Sequence, residues 1–144
     1  MLYKKELLTI FGLFLLIACS SSLWDDMPEP IATFVSTYYP MSGISEYSEH
    51  NGVYYVTIKN GASMTFDSTY TWLEVNGNGV VLPQLFVQDA LEPKLVQYLM
   101  ELELTDQVYA AKNDPREVIL DMLNYKIRYR QEPGEIRPIG GVTD

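Results

Sequence analysis

The same order of sequence patterns occurs twice between residues 26 and 139, and this repetition limits the possible folds more than any other feature. Each copy opens with an amphipathic helical stripe and continues with short apolar runs that turn residues separate. Equivalent positions lie about 63 residues apart, with small drifts that are typical of an ancient duplication. We therefore expect two tandem units, residues 26–75 and 83–144, joined by a Gly-containing linker at residues 76–82.

Each copy is expected to begin with one helix. Apolar residues recur at helical spacing at Ile31, Phe34, Val35 and Tyr38 in the first copy, and at Leu91, Leu95, Tyr98, Leu99 and Leu102 in the second. Asp26 with Glu29, and Asp89 with Glu92, have the spacing of a capping box, although Glu92 could instead be the cap before Pro93. We expect Phe34 to be nearly buried between its helix and the strands.

Short runs with strand-like composition follow each helix, and turn residues such as Asn51-Gly52 separate them. The expected strands are residues 44–48, 53–59, 62–66 and 71–75 in the first copy, and 107–112, 117–123, 126–130 and 135–139 in the second.

The hairpin at Asn60-Gly61 has one register that keeps its apolar side chains together. A two-residue turn would put the apolar residues of its two strands on opposite faces, whereas a three-residue loop with Gly61 in the left-handed region puts them on one face. We therefore expect the three-residue loop. It pairs Ile58 with Ala62, Val56 with Met64 and Tyr54 with Phe66, and it leaves Tyr55, Thr57, Ser63 and Thr65 on the other face.

In the second copy we expect a two-residue turn at Asn124-Tyr125. This turn sets Asp121 opposite Arg128, as a cross-strand ion pair on the outward face. The other pairs are Met122 with Ile127 and Leu120 with Tyr129 inward, and Ile119 with Arg130 outward.

Residues 1–19 have the pattern of a bacterial export signal. A basic start precedes the apolar run 7–18, which is shorter than the roughly 20 residues of a membrane-spanning helix. The run ends Leu16-Ile17-Ala18-Cys19, which resembles the lipobox and implies cleavage after Ala18 and lipid attachment to Cys19. We expect a signal peptide at 1–18 and a lipidated tether at 19–25. The expected location is the cell envelope, at the periplasmic or the surface face of the outer membrane.

Charge and residue usage exclude several classes of protein. The 144 residues contain 19 acidic and 10 basic side chains, a net charge of −9, and removal of the signal changes it to −10. An acidic chain lacks the clustered Lys and Arg that bind nucleic-acid phosphates. One Cys cannot form an intramolecular disulfide, and one Cys with one His cannot by themselves supply a structural zinc site.

No motif in the chain arranges a catalytic or cofactor site, because the nucleophile-elbow, zinc-protease, P-loop and dinucleotide patterns are absent. His50 lies beside a turn, and the carboxylates of residues 101–106 belong to a solvated helix end. We therefore predict a protein that is not an enzyme and that holds no metal or cofactor. Asp67 is expected to bond the N–H groups of its turn, and Trp72 either to pack on the sheet or to anchor a partner.

Several motifs keep a fixed order over residues 26–139. They are Ile31-x-x-Phe34-Val35-x-x-Tyr38-Tyr39-Pro40, Tyr54-Tyr55-Val56-x-Ile58-x-Asn60-Gly61, Phe66-Asp67, Trp72 before Glu74-Val75, Leu82-Pro83, Tyr98-Leu99 and Val118-Ile119-Leu120. Together they resemble the PepSY-like, beta-lactamase-inhibitor-like lipoproteins of bacteria. The resemblance implies an α+β fold: two tandem helix-plus-antiparallel-strand repeats that form a curved antiparallel sheet with helices on one face.

The chain departs from that family in one turn. The family has Gly between Phe-Asp and Trp, whereas this chain has Tyr70 there and Gly134 at the counterpart in the second copy. A Tyr at positive φ is strained, so we expect the first turn to differ.

The resemblance implies a protein-binding module, because PepSY domains are associated with peptidase propeptides and inhibition, and the related tandem fold with inhibition of beta-lactamases. We expect a non-enzymatic lipoprotein that binds an envelope or secreted protein; the alternative is a structural or accessory lipoprotein that inhibits no target. The expected contact surface is the sheet face away from the helices, with Tyr55 on it and Tyr70 at the neighbouring turn. The net charge favours a basic patch on the partner.

Overall fold

A computed structural model describes residues 22–140, which form one eight-stranded antiparallel sheet and four helices. The strand order follows the sequence from β1 to β8, so each strand pairs with its neighbours along the chain. The α+β fold class expected from the sequence is confirmed.

The sequence patterns located every strand. The helices are α1 (Ser22–Asp26), α2 (Glu29–Tyr38), α3 (Gln84–Asp89) and α4 (Pro93–Glu101). The strands are β1 (Ile44–His50), β2 (Val53–Ile58), β3 (Ser63–Phe66), β4 (Trp72–Asn76), β5 (Ala110–Asn113), β6 (Glu117–Asp121), β7 (Lys126–Arg130) and β8 (Glu135–Ile139). All eight expected runs are strands, and their ends differ from expectation by no more than three residues.

The helices differ from the sequence expectations more than the strands do. Residues 22–25, expected in the tether, belong to α1, and Leu23 and Trp24 of that helix pack against the core. The one helix expected around residues 91–102 is preceded by a separate α3, because Pro93 lacks the N–H that a continuing helix would need. At six residues, α3 is too short to show a helical stripe in the sequence.

Neither expected capping box forms. Pro28 is the N-cap of α2 and Glu92 is the N-cap of α4, and neither makes a side-chain capping bond. Glu92 before Pro93 was the alternative that the sequence left open. The carboxylates instead accept bonds from tyrosine hydroxyls: Asp89 from Tyr38 at 2.6 Å and Glu92 from Tyr129 at 2.7 Å. These bonds link α2 to α3, and β7 to the start of α4.

The core fills the space between the helices and one face of the sheet. Its fully buried side chains include Ile31 and Val35 of α2, Phe86 of α3, Leu95 and Leu99 of α4, and Val56, Met64, Phe66, Leu120 and Ile127 of the strands. Phe34 is only partly buried, because Ile31 and Val35 occupy the side of α2 that faces the sheet. Its ring lies edge-on to Phe66 at 5.1 Å and to Phe86 at 6.0 Å.

The predicted β2–β3 register is confirmed. Val56 pairs with Met64 and Tyr54 with Phe66. Gly61 has φ +103, and its N–H donates to the Ile58 carbonyl at 2.9 Å. The other side of these strands carries the predicted set, in which Tyr55 pairs with Thr65 and Thr57 with Ser63.

The β6–β7 register is displaced by two residues from the prediction. Leu120 pairs with Ile127, and Asp121 pairs with Lys126 rather than with Arg128. The turn forms one residue early, at Leu123-Asn124, because the Asp121 carboxylate accepts a bond from the Leu123 N–H at 3.0 Å. A shift of two residues keeps every inward side chain inward. It pairs Val118 with Tyr129, Ile119 with Arg128 and Glu117 with Arg130.

Residues 76–82, expected as a linker, run along the sheet. Asn76 ends β4, which pairs with β5. The Gly77 N–H donates to the Tyr109 carbonyl at 2.9 Å, and the Leu82 N–H to the Val108 carbonyl at 2.7 Å. An added Cβ at Gly77 would collide with the Val80 carbonyl, so only glycine fits where the chain leaves β4.

Candidate functional site

Tyr55 lies on the outer face of the sheet, away from α2, α3 and α4. Its side chain is 44% exposed, and its cross-strand neighbours are Ser48 on β1 and Thr65 on β3. The adjoining outward pair is Thr57 with Ser63. A patch of one tyrosine and four hydroxyl side chains therefore lies on the outer face of β1–β3, next to Glu46, which is opposite Thr57, and to His50, whose ring centroid is 6.1 Å from that of Tyr55. We call it the Tyr55 patch.

The outer face of β5–β8 instead carries many charged side chains. One cross-strand row runs Lys112, Ile119, Arg128 and Arg137, and outward acids lie beside it. The Arg128 Nε is 3.2 Å from the Glu117 carboxylate, and Arg137 forms an ion pair with Glu135. Two of the basic side chains on this face are thus paired with acids of the chain.

Tyr70 lies in the turn between β3 and β4, which Asp67 organises. One Asp67 carboxylate oxygen accepts bonds from the Thr69 N–H at 2.9 Å and the Thr71 N–H at 3.0 Å, as the sequence predicted. It also accepts the Thr69 hydroxyl at 2.7 Å. That hydroxyl contributes most to lowering the pKa of Asp67, and the two backbone bonds add to it.

Tyr70 was expected to avoid a positive φ because of its Cβ, and that expectation is wrong. Tyr70 has φ +67, and Gly134 at the corresponding place before β8 has φ +84. The tyrosine therefore adopts the left-handed conformation that the glycine adopts. The Asp67 bonds hold the turn closed against the strain that a Cβ introduces.

Tyr70 and Tyr55 do not lie on one face. The Tyr70 ring is 5.4 Å from the ring of Tyr54, whose side chain shares the helix side of the sheet with Phe66. The nearby Tyr70 hydroxyl is the largest cause of the raised pKa of Tyr54, followed by desolvation. Tyr70 thus belongs to the helix side, although Tyr54 and Tyr55 are adjacent in sequence.

A cluster that sequence reasoning missed surrounds Tyr70. Glu49 on β1 lies opposite Tyr54, and Tyr47 lies on the same side two residues earlier. Burial raises the pKa of Tyr47, and the nearby Glu49 carboxylate raises it further. We call Tyr47, Tyr54 and Tyr70 the tyrosine cluster. A two-residue turn at Asn51-Gly52 would have predicted the Glu49–Tyr54 pair from the sequence alone.

The remaining candidates have structural positions. Trp72 is 9% exposed and packs edge-on to Phe86 at 5.2 Å, so it is a core aromatic rather than an anchor for a partner. His50 and Glu101 are exposed, and Glu101 accepts a bond from the Gln97 amide. Ala18 and Cys19 lie outside the described residues.

Between residues 22 and 140, no three His, Cys, Asp or Glu side chains are grouped so that they could hold a metal ion. In the same range, no helix has the length and apolar character needed to cross a membrane.

No family model and no curated protein match this chain. Two solved structures from Bacteroides share its fold. One, from Bacteroides vulgatus ATCC 8482, is named as a candidate periplasmic protein of the DUF2874 family; it has a TM-score of 0.65 and 16% identity, over 79% of this chain and 90% of that one. The other, from Bacteroides thetaiotaomicron, is named as a candidate calcium-regulated periplasmic protein; it has a TM-score of 0.64 and 16% identity, over 79% and 92%.

A BLIP-like protein from Bacteroides fragilis is 19% identical over 81% of this chain and 87% of that one, with a TM-score of 0.31. A TM-score of 0.31 does not show a common fold, and the 16% identity of the other two structures shows a common fold alone. The PepSY-like resemblance stays a prediction.

Proposed function

We propose that the protein is a non-enzymatic cell-envelope lipoprotein whose Tyr55 patch binds an envelope or secreted protein. One observation carries the proposal: an exposed tyrosine lies among hydroxyl side chains on an outer sheet face of an acidic chain. The cores of protein interfaces are enriched in tyrosine and their rims are polar; the acids Glu46, opposite Thr57, and Glu74, opposite Thr65, lie at the border of the patch.

The other half of the same face supports this choice by contrast. Two of its basic side chains already have carboxylate partners, Glu117 for Arg128 and Glu135 for Arg137. Exposed ion pairs of this kind add little stability and keep a face solvated. The acids beside the Tyr55 patch, Glu46 and Glu74, form no ion pair among the described residues, so a partner can cover the patch without separating one.

Two observations support the envelope location. The first is the export signal with its lipobox-like end at Cys19. The second is that the solved structures with this fold bear names that assign them to the periplasm. Inhibition of a secreted enzyme, which the family resemblance implies, would be one form of such binding.

The test replaces Tyr55 with Ser and compares it with Leu123→Ser, an exposed apolar residue at the β6–β7 turn. Each protein is crosslinked in native envelopes, and the captured proteins are identified and then titrated against the purified variants. We expect Tyr55→Ser to weaken capture tenfold or more, as loss of an interface tyrosine does, and Leu123→Ser to leave it unchanged. Equal affinity of both variants for the same partners would reject the patch. An envelope in which no partner is captured would favour an accessory lipoprotein.

A further inference from the structure

We propose that the tyrosine cluster binds a lysine or arginine side chain of a protein partner. The inference rests on the proposed function in one respect, namely that the partner is a protein. It concerns the helix side of β1 and β2, whereas the Tyr55 patch lies on the outer face, so the two surfaces can be tested separately.

Strand register brings the cluster together. Glu49 pairs with Tyr54, and Tyr47 projects to the same side as Glu49 because side chains alternate along a strand. The turn after β3 then places the Tyr70 ring 5.4 Å from Tyr54, with Tyr70 38% exposed. Three phenol rings and one carboxylate therefore lie on one side of the sheet, next to its β1 edge.

Each titratable group that acts on Tyr47 or Tyr54 is a carboxyl or a phenol. Tyr47 is under the influence of Glu49, Asp26 and Tyr70, and Tyr54 under that of Tyr70, Glu49 and Tyr47. The faces of aromatic rings and the oxygens of a carboxylate both attract a cation, and the two attractions add when the cation lies among them. The chemistry that complements this cluster is an ammonium or guanidinium group.

The second half of the chain supplies such a cation from within. A Cβ at Gly134 would lie 2.7 Å from the Nζ of Lys94, so the lysine ammonium sits over that turn. Counted from the N-cap residues Pro28 and Glu92, Pro30 occupies in α2 the position that Lys94 occupies in α4. The first half thus has Tyr70 in place of the glycine and Pro30 in place of the lysine. The Tyr70 side chain therefore fills the place over the turn that the Lys94 ammonium fills in the second half.

The backbone of Tyr70 supports a role for its ring. Its φ of +67 is a conformation that glycine adopts freely and tyrosine does not. A strained residue that the surrounding structure holds in place is a reason to look for function. Because glycine would form this turn with less strain, the turn itself does not account for a tyrosine here.

The test is an NMR titration of the purified protein with Nα-acetyl-lysine methylamide, observed at the tyrosine rings. The isosteric norleucine compound, which lacks the charge, is the matched probe. We expect saturable shifts at Tyr47, Tyr54 and Tyr70 with the lysine compound only. Tyr70→Gly should weaken binding roughly two- to fivefold, which is the effect of losing one exposed cation–π contact. The protein should stay folded, because glycine adopts a positive φ with less backbone strain than tyrosine.

Glu49→Gln should also weaken binding, while Glu103→Gln, an exposed carboxylate far along the chain, and Tyr55→Ser should not. Equal shifts with norleucine, or unchanged affinity in Tyr70→Gly, would overturn the proposal. Self-association that Tyr70→Gly abolishes would also overturn it, because the cluster would then bind a second copy of the chain. Binding to phosphatidylethanolamine vesicles without binding to the lysine compound would overturn it as well, because the cluster would then bind lipid. If the cluster fails while Tyr55→Ser still loses its partners, the proposed function stands.

Discussion

At the scale of single residues, Asp67 shows how one carboxylate sets a turn. It accepts two backbone N–H groups and one hydroxyl within its own turn, and the strained Tyr70 follows three residues later. These bonds also lower the pKa of Asp67, because they favour its ionised form.

We expect Asp67→Ala to lower the free energy of unfolding by about 1–2 kcal/mol at neutral pH, the usual effect of removing a capping side chain. Because the folded-state pKa is lowered, the stability gained from ionised Asp67 is present above its unfolded value of 3.8. It is lost as the pH falls below 3.8 through the folded-state pKa. The measurement is urea unfolding at pH 7 and pH 3, with Asp67→Asn as the control that keeps an acceptor. A difference between wild type and Asp67→Asn that does not shrink at pH 3 would contradict this reading.

The Asp67 bonds were predictable from sequence, but the conformation of Tyr70 was not. The rule that tyrosine avoids positive φ describes an isolated residue. Here the Asp67 bonds and the contact with Tyr54 together outweigh a penalty of order 1–3 kcal/mol. A rule about one residue cannot include contacts that form only after the strands are in register.

At the scale of elements, the two predicted hairpins show where sequence reasoning succeeds. In the β2–β3 hairpin, the competing register would have placed the apolar side chains of the two strands on opposite faces of the sheet. The sequence pattern therefore excluded that register. In the β6–β7 hairpin, a displacement of two residues keeps every apolar side chain inward, so the pattern could not distinguish the registers. The bond from the Leu123 N–H to Asp121 decides between them.

The bond between Tyr38 and Asp89 joins α2 to α3, so we expect Tyr38→Phe to destabilise the protein by about 0.5–1.5 kcal/mol. Burial, and then the bond to Asp89, raise the pKa of Tyr38 to about 12. A raised pKa means that this contribution is complete below pH 10 and is lost as the pH rises toward about 12. In denaturant unfolding between pH 8 and 11, the free energy of unfolding of the wild type should therefore fall toward that of Tyr38→Phe.

Tyr39→Phe is the matched control. Burial alone raises the pKa of Tyr39 to about 12, and its hydroxyl is buried without a hydrogen-bond partner among the described residues. Removing that hydroxyl should leave the free energy of unfolding at neutral pH equal to that of the wild type, or raise it. A larger loss in Tyr39→Phe than in Tyr38→Phe would show that the α2–α3 bond contributes little.

At the scale of the whole molecule, α1 changes the expected relation to the membrane. It begins at Ser22, so only about 10 Å of extended chain can separate it from Cys19. Leu23 and Trp24 pack against the core, so a tether that begins at Cys19 would be shorter than the expected residues 19–25. A lipid on Cys19 would hold the folded part close to the bilayer.

We expect Cys19→Ala to abolish lipid attachment, because no other cysteine is present in the chain. The variant should leave the membrane fraction or accumulate there with its signal uncleaved. Metabolic labelling with a fatty acid, followed by fractionation and blotting, measures both outcomes, and Ser21→Ala is the matched control. Mature, membrane-bound and lipid-labelled Cys19→Ala would refute the anchor.

The sheet order also bears on how the chain acquires its structure. Six of the seven connections between successive strands have five residues or fewer, and the seventh, residues 77–109, holds α3 and α4. Closing short loops loses little chain entropy, so pairing can advance strand by strand instead of waiting for distant segments to meet. A polypeptide that emerges amino-terminus first from a translocation channel could thus form β1–β4 before β5 emerges. Export and folding would then proceed in the same direction.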